Sequence, residues 1–142
     1  MSEKAMIFDQ MVNEHRDIEA MLLELSKGYD KRKFKELRLA LTAHMSAEEA
    51  SFYPAMSDLD SGAADKADEA HKHVRSLLSK FGLVEPADFQ SKLSALTEAV
   101  KEHFRTEEEL LPKARQTFDQ QKVGELSYLF HETERRIVER MK

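Results

Sequence analysis

His44-Met45-Ser46-Ala47-Glu48 has the form H-x-x-x-E, and the form returns at His103-Phe104-Arg105-Thr106-Glu107. Each copy is followed by a second glutamate (Glu49, Glu108) and then by a proline (Pro54, Pro112). On a helix, residues four apart lie about 40° apart on one face, one turn above the other. Each copy therefore presents an imidazole and a carboxylate in the same direction. Alone, such a pair serves solubility as readily as chemistry. Its meaning comes from the apolar pattern in which it sits.

Working outward, the stripe Phe34, Leu37, Leu41 continues through His44 and Glu48 to Phe52 or Ala55, which predicts a helix over 31–57 capped by Asp30. Pro54 falls in its last turn and should distort or end it. A preceding helix, 3–27, with Ser2 as cap and Gly28 as stop, carries Ile7, Met11, Ile18, Leu22 and Leu25, with His15 at the missing step. After Ser61-Gly62 a helix over 62–81 carries Ala64, Ala67, His71, Val74, Leu78 and Phe81. His73 lies about 200° round from His71 and faces solvent. Glu85-Pro86 opens a helix over 86–113 with Phe89, Leu93, Leu96, Val100, His103, Glu107 and Leu110 on its face. A last helix, 119–140, aligns Val123, Leu126, Phe130, Thr133, Ile137 and Met141, with His131 just off the face.

Composition agrees with long helices and few breaks. Gly (4) and Pro (3) are scarce, and 41% of residues are hydrophobic against 35% charged. One domain spanning 1–142 is expected. It is all-α: an antiparallel up-down-up-down four-helix bundle over about 3–113 with an appended C-terminal helix over about 119–140. The absence of Cys excludes disulfides, thiolate-held zinc and cysteine nucleophiles within this chain. No apolar run approaches the roughly 18 residues of a membrane span, and no signal-peptide core opens the chain. A cytoplasmic location without a membrane partner is expected. The net charge of −5 argues against nucleic acid. The basic run Lys31-Arg32-Lys33 with Lys35 and Arg38 reads as a solvated helix end.

The two halves repeat. His15 and His71 are followed after 29 and 32 residues by the His44 and His103 motifs, as in a duplicated helical hairpin. Its symmetry would bring His15, His44, Glu48, His71, His103 and Glu107 to one level. An unpartnered buried polar group costs about 1–3 kcal/mol or more. Six of them would consume a total stability of about 5–15 kcal/mol. Metal cations satisfy such a set best. Imidazole and carboxylate donors without thiolate suit iron or manganese, and a closed zinc site less well. Each carboxylate can bridge two ions, leaving two histidines per ion and open positions for a ligand.

Over residues about 7–113 these motifs resemble the hemerythrin-like family, also called the HHE cation-binding domain. The resemblance rests on His15, His44-x-x-x-Glu48-Glu49 with Phe52-Tyr53-Pro54, His71, and His103-x-x-x-Glu107-Glu108 with Leu111-Pro112. It implies a non-haem centre of two iron ions with an oxo or hydroxo bridge. Glu48 and Glu107 would bridge them, and the four histidines would be terminal ligands. Oxygen-carrying members have a fifth histidine in an H-x-x-x-H pair and a longer H-x-x-x-x-D spacing. Here the position four after His71 is Arg75, four before it is Ala67, and the second motif is H-x-x-x-E. The resemblance thus points away from simple carriage.

The function expected is binding or reaction with dioxygen, peroxide or nitric oxide, with catalase- or peroxidase-like activity as the sharper version. Alternatives are an iron- or oxygen-sensing module, with a partner or second copy docking on the C-terminal helix, and reversible oxygen storage. Glu49 and Glu108 are expected behind the ligands or at the surface, and His73 and His131 at the surface. Met11, Met21, Met45 and Met56 are expected as core filler. Tyr53 lies about 180° round from His44 on a regular helix and is expected to face outward unless Pro54 changes the winding.

Overall fold

The structure, a computed structural model, describes residues 6–83 and 86–141. Among them are seven α-helices and no strand: α1 (Met6–Ser26), α2 (Lys31–Ala50), α3 (Phe52–Leu59), α4 (Ser61–Ser79), α5 (Phe89–Glu108), α6 (Leu111–Thr117) and α7 (Gln120–Met141). Short 3₁₀ turns, Lys80–Leu83 and Pro86–Asp88, follow α4 and precede α5. The expected Ser2 cap and Glu85 lie outside the described residues.

The helices start where the sequence offers oxygen acceptors. Asp30 takes hydrogen bonds from the backbone N–H groups of Arg32 and Lys33, both at 3.0 Å. Asp60 takes one from Ala63, and Asp119 one from Lys122. Each satisfies donors that the first helical turn leaves free.

α1, α2, α4 and α5 form the bundle, α1 packing against both α2 and α5, and α4 against α5. The expected stripes are its inner faces. His15, His44, Glu48, His71, His103 and Glu107 form a polar layer between two apolar clusters. One cluster holds Ile7, Met11, Phe52 and Phe130; the other holds Ile18, Leu41, Leu78 and Leu96. Met11, Met45 and Met56 are buried among them.

Both predicted long helices that contain a proline break earlier than the proline itself. The helix predicted over 31–57 splits at Ser51, and that predicted over 86–113 splits after Glu108. Proline has no N–H for the carbonyl four residues back, and its ring collides with that carbonyl. The chain avoids the collision by changing direction three residues ahead of Pro54. Ser51 leaves helical geometry at φ −129°, ψ −73°, and its hydroxyl donates to the Ala47 carbonyl at 2.6 Å.

α7 is more than an appendage. It packs most extensively against α2 and also against α1, and its Val123 and Phe130 are wholly buried in the first cluster. The Phe130 ring meets the His44 imidazole edge-on at 6.2 Å. Among the described residues no helix is long and apolar enough to cross a membrane. Phe130→Ala is expected to destabilise the fold by about 3–5 kcal/mol, read by urea unfolding. A loss below about 0.5 kcal/mol, the scale of surface substitutions, would show α7 to be dispensable to the core.

Candidate metal centre

The six stripe residues converge from four helices: His15 from α1, His44 and Glu48 from α2, His71 from α4, His103 and Glu107 from α5. Their side chains divide into two groups, each able to offer four atoms to one cation. The first is His15, His44, Glu48 and Glu107; the second is Glu48, His71, His103 and Glu107. The two carboxylates belong to both groups, and each sends one oxygen to each. Glu48 Oε2 lies 3.0 Å from His44 Nε2 and 3.7 Å from His15 Nε2, while Glu107 Oε1 lies 3.0 Å from His15 Nε2. On the other side, Glu48 Oε1 is 3.1 Å from His71 Nε2 and Glu107 Oε2 is 3.2 Å from His103 Nε2.

Behind three of the imidazoles stands a further carboxylate. His15 Nδ1 meets Glu108, His44 Nδ1 meets Glu14 and His71 Nδ1 meets Glu49, each at 2.7 Å. A carboxylate only accepts, so the ring proton must sit on Nδ1. In the neutral ring, the Nε2 lone pair then points at the centre, as a ligand requires. The outer carboxylates are themselves held. Arg16 donates to Glu108, and Arg75 grips Glu49 with both terminal nitrogens at 2.5 and 3.0 Å. Arg75, which stands where carriers have a fifth histidine, thus supports His71 from outside.

Glu14 of α1, which accepts from Gln10 Nε2 at 2.7 Å, lines one groove with Glu134 of α7. Burial and the Glu14 charge push Glu134 up to about 9. Burial would also raise Glu14, but His44 and Glu134 outweigh it and hold Glu14 below the usual range.

Burial would lower His15, His44 and His71, yet the neighbouring carboxylates overcome it. Hydrogen bonds donated to Glu107 and Glu48 lift His15 to about 9, and those donated to Glu48 and Glu49 lift His71 to about 9. His44 also rises well above its ordinary value, chiefly through the charge of Glu48. Burial would raise Glu48, but His44 and the other partners hold it well below the carboxylate range.

Tyr53 is the main correction to the sequence expectation. It is buried, and its hydroxyl lies inside the second group. The O–H donates to Glu107 Oε2 at 2.5 Å and stands 2.9 Å from His71 Nε2, 3.0 Å from His103 Nε2 and 3.4 Å from Glu48 Oε1. A regular helix would carry it outward; the break at Ser51 turns it in. Burial and the charges of Glu48 and Glu107 raise its pKa well above the ordinary phenol value.

Glu49 and Glu108 stand behind the His71 and His15 imidazoles, and His73 and His131 are exposed. Sequence reasoning missed Glu14, Glu134 and Phe104. Phe104 stacks on the His15 ring at 3.9 Å. Its only signal was adjacency to His103. Glu14 and Glu134 stand at the margins of their apolar stripes, where spacing alone does not say which carboxylate reaches a neighbouring helix.

The chemistry of the donors fits a pair of cations. His44 Nε2 and Glu48 Oε2 are buried, lie 3.0 Å apart, and are not aligned for a hydrogen bond with each other or with any other group. Buried polar atoms are rarely left so. A cation between the two groups would satisfy both.

Residues 6–114 match the family model described as the hemerythrin HHE cation binding domain. No match is found among curated proteins or among solved structures.

Protons and metal compete for these rings. With folded values near 9 against an ordinary 6.5, His15 and His71 stabilise the metal-stripped fold fully below pH 6.5. That contribution is lost as pH rises through 9. Glu134, raised from 4.5 to about 9, acts with the same sign. The thermal midpoint of chelator-treated protein is therefore expected to fall between pH 6.5 and 9, less steeply in Glu134→Gln. A flat midpoint across that range would contradict the assignment.

Proposed function

The chain belongs to the hemerythrin HHE cation-binding domain family, and on that premise we propose that it is a non-haem di-iron protein that binds or reacts with dioxygen, peroxide or nitric oxide. The observation that carries the reading is the division of the Glu48 and Glu107 oxygens between two groups, each completed by two histidines. Glu48 and Glu107 would bridge; His15 and His44 would hold one ion, His71 and His103 the other. When bound, the iron pair supplies a position for a small oxidant and the electrons that reduce it. Manganese suits the same donors, and a closed zinc site suits them less well.

The chain supplies the setting. Outer carboxylates fix three imidazoles in the orientation that aims Nε2 inward. Phe104, Phe130 and the two apolar clusters keep bulk water from the layer. In the metal-free fold, burial and the charges of Glu48 and Glu107 keep the proton on Tyr53, which donates it to Glu107 within the second group. This gives a catalase- or peroxidase-like activity a proton donor. Reversible carriage is disfavoured because Arg75 is committed to Glu49.

A second reading, iron sensing, is supported by α7. Phe130 meets His44 edge-on and Glu134 shares a groove with Glu14, so changes at the first group are felt by a helix that exposes Tyr128 and Leu129. Chelated and iron-loaded protein would then differ in oligomeric state; identical states would count against it.

Metal analysis of protein isolated without added chelator is expected to give about two ions per chain, with charge-transfer absorption that changes on adding peroxide or nitric oxide. One ion or none per chain would overturn the proposal. In Tyr53→Phe, metal content is expected to persist while peroxide consumption falls by about 10²-fold or more. Unchanged turnover would leave the phenol a packing role alone.

A further inference from the structure

A groove of about 1210 Å³ runs between α4 and α5. Ala67 and Ala70 line it from α4, Ala95 and Ala99 from α5, and His103 and Glu107 lie at its floor. His103 is also the ligand candidate least sealed from solvent, its side chain 4% exposed against 1% or less for the other five. We propose that this groove is the route by which small exogenous ligands reach the centre, and that His103 is the exchangeable protein ligand at its floor. The proposal rests on the di-metal reading above and names the side from which that site is approached.

The second observation is independent of the cavity. His15, His44 and His71 are each tied at Nδ1 to a carboxylate. His103 makes its contacts through Nε2 alone, to Tyr53 and Glu107, and its Nδ1 meets no protein group among the described residues. Displacing any of the first three breaks a charge-assisted hydrogen bond, roughly twice as strong as a neutral one. Displacing His103 breaks none on its outer side. The ring that faces the groove is thus the one held least firmly.

Size sets what passes. A water molecule occupies about 30 Å³ in the liquid, so dioxygen, peroxide or azide fits with ease between the alanine walls. Charge does not select, because Lys66 and Lys101 share the rim with Glu98 and Glu102. The other large groove, about 720 Å³ between α1, α2 and α7, reaches Glu14 and Glu134 but none of the six candidate ligands. It ends on an outer support, which makes it the natural control.

Two measurements test the proposal. In metal-stripped protein, acylation by diethylpyrocarbonate, mapped by peptide mass spectrometry, is expected at His103 about 10-fold or more faster than at His15, His44 or His71, whose exposure needs local opening. Ala99→Phe should suppress this without altering exposed His131. In iron-loaded protein, Ala99→Phe is expected to slow azide association about 10-fold, whereas Ala40→Phe in the other groove leaves it unchanged. Ala70→Leu serves if Ala99→Phe does not fold. Equal acylation of the four histidines, or azide rates untouched by both α4–α5 variants, overturns the groove. Acylation needs no ion. A failure to load two irons would therefore sink the di-metal reading while the His103 pattern still stands. Full loading with uniform histidine reactivity would sink the groove alone.

Discussion

Two carboxylates and four imidazoles buried in one layer impose the constraint to which the rest of the bundle responds. Attraction within the layer outweighs the desolvation of His15, His44 and His71, which is why these three rise and Glu48 falls in pKa despite burial. Attraction without direction would leave the rings free to turn. Outer carboxylates supply the direction, and arginines fix two of these in turn, so the order at the centre is passed out to the surface in steps: His71 to Glu49 to Arg75, His15 to Glu108 to Arg16. The apolar clusters above and below then have a defined layer to pack against.

The third of these chains is different in kind. From His44 it passes to Glu14 and then to a second carboxyl, Glu134, where the other two end on a guanidinium. Burial and the Glu14 charge raise Glu134, while His44 keeps Glu14 low. Glu134 lies on the helix beyond the residues matched by the family model. α7 therefore adds both the apolar cover of Phe130 and an acid to a layer built by the bundle.

Much of this was legible from the chain. Periodicity placed His15, His44, His71 and His103 on inward faces because a 3.6-residue repeat is insensitive to the identity of the neighbouring helix. It placed Glu48 and Glu107 for the same reason, one turn further on. It failed at Tyr53, where the repeat itself is interrupted: an angle counted from His44 has no meaning across Ser51. It was also silent on Glu14 and Glu134. Which of many marginal carboxylates is chosen depends on the rotation of one helix against another, and the sequence of a single helix does not contain that. Arg75 was legible as a substitution but not as a support, because its partner Glu49 comes from α2.

The break at Ser51 arises from the backbone chemistry of Pro54, and the break after Glu108 accompanies Pro112 in the other half. Just before the prolines stand Tyr53 and Leu111, both buried in the same apolar cluster. The backbone turn thus delivers the preceding side chain to the interior whether that side chain is a phenol or a hydrocarbon. Divergence between the two halves can then proceed one residue at a time beside the polar layer. The halves are not strict copies at this point: Pro54 comes ten residues after His44 but Pro112 nine after His103, and Ser51 leaves helical geometry where Glu109 and Leu110 keep it.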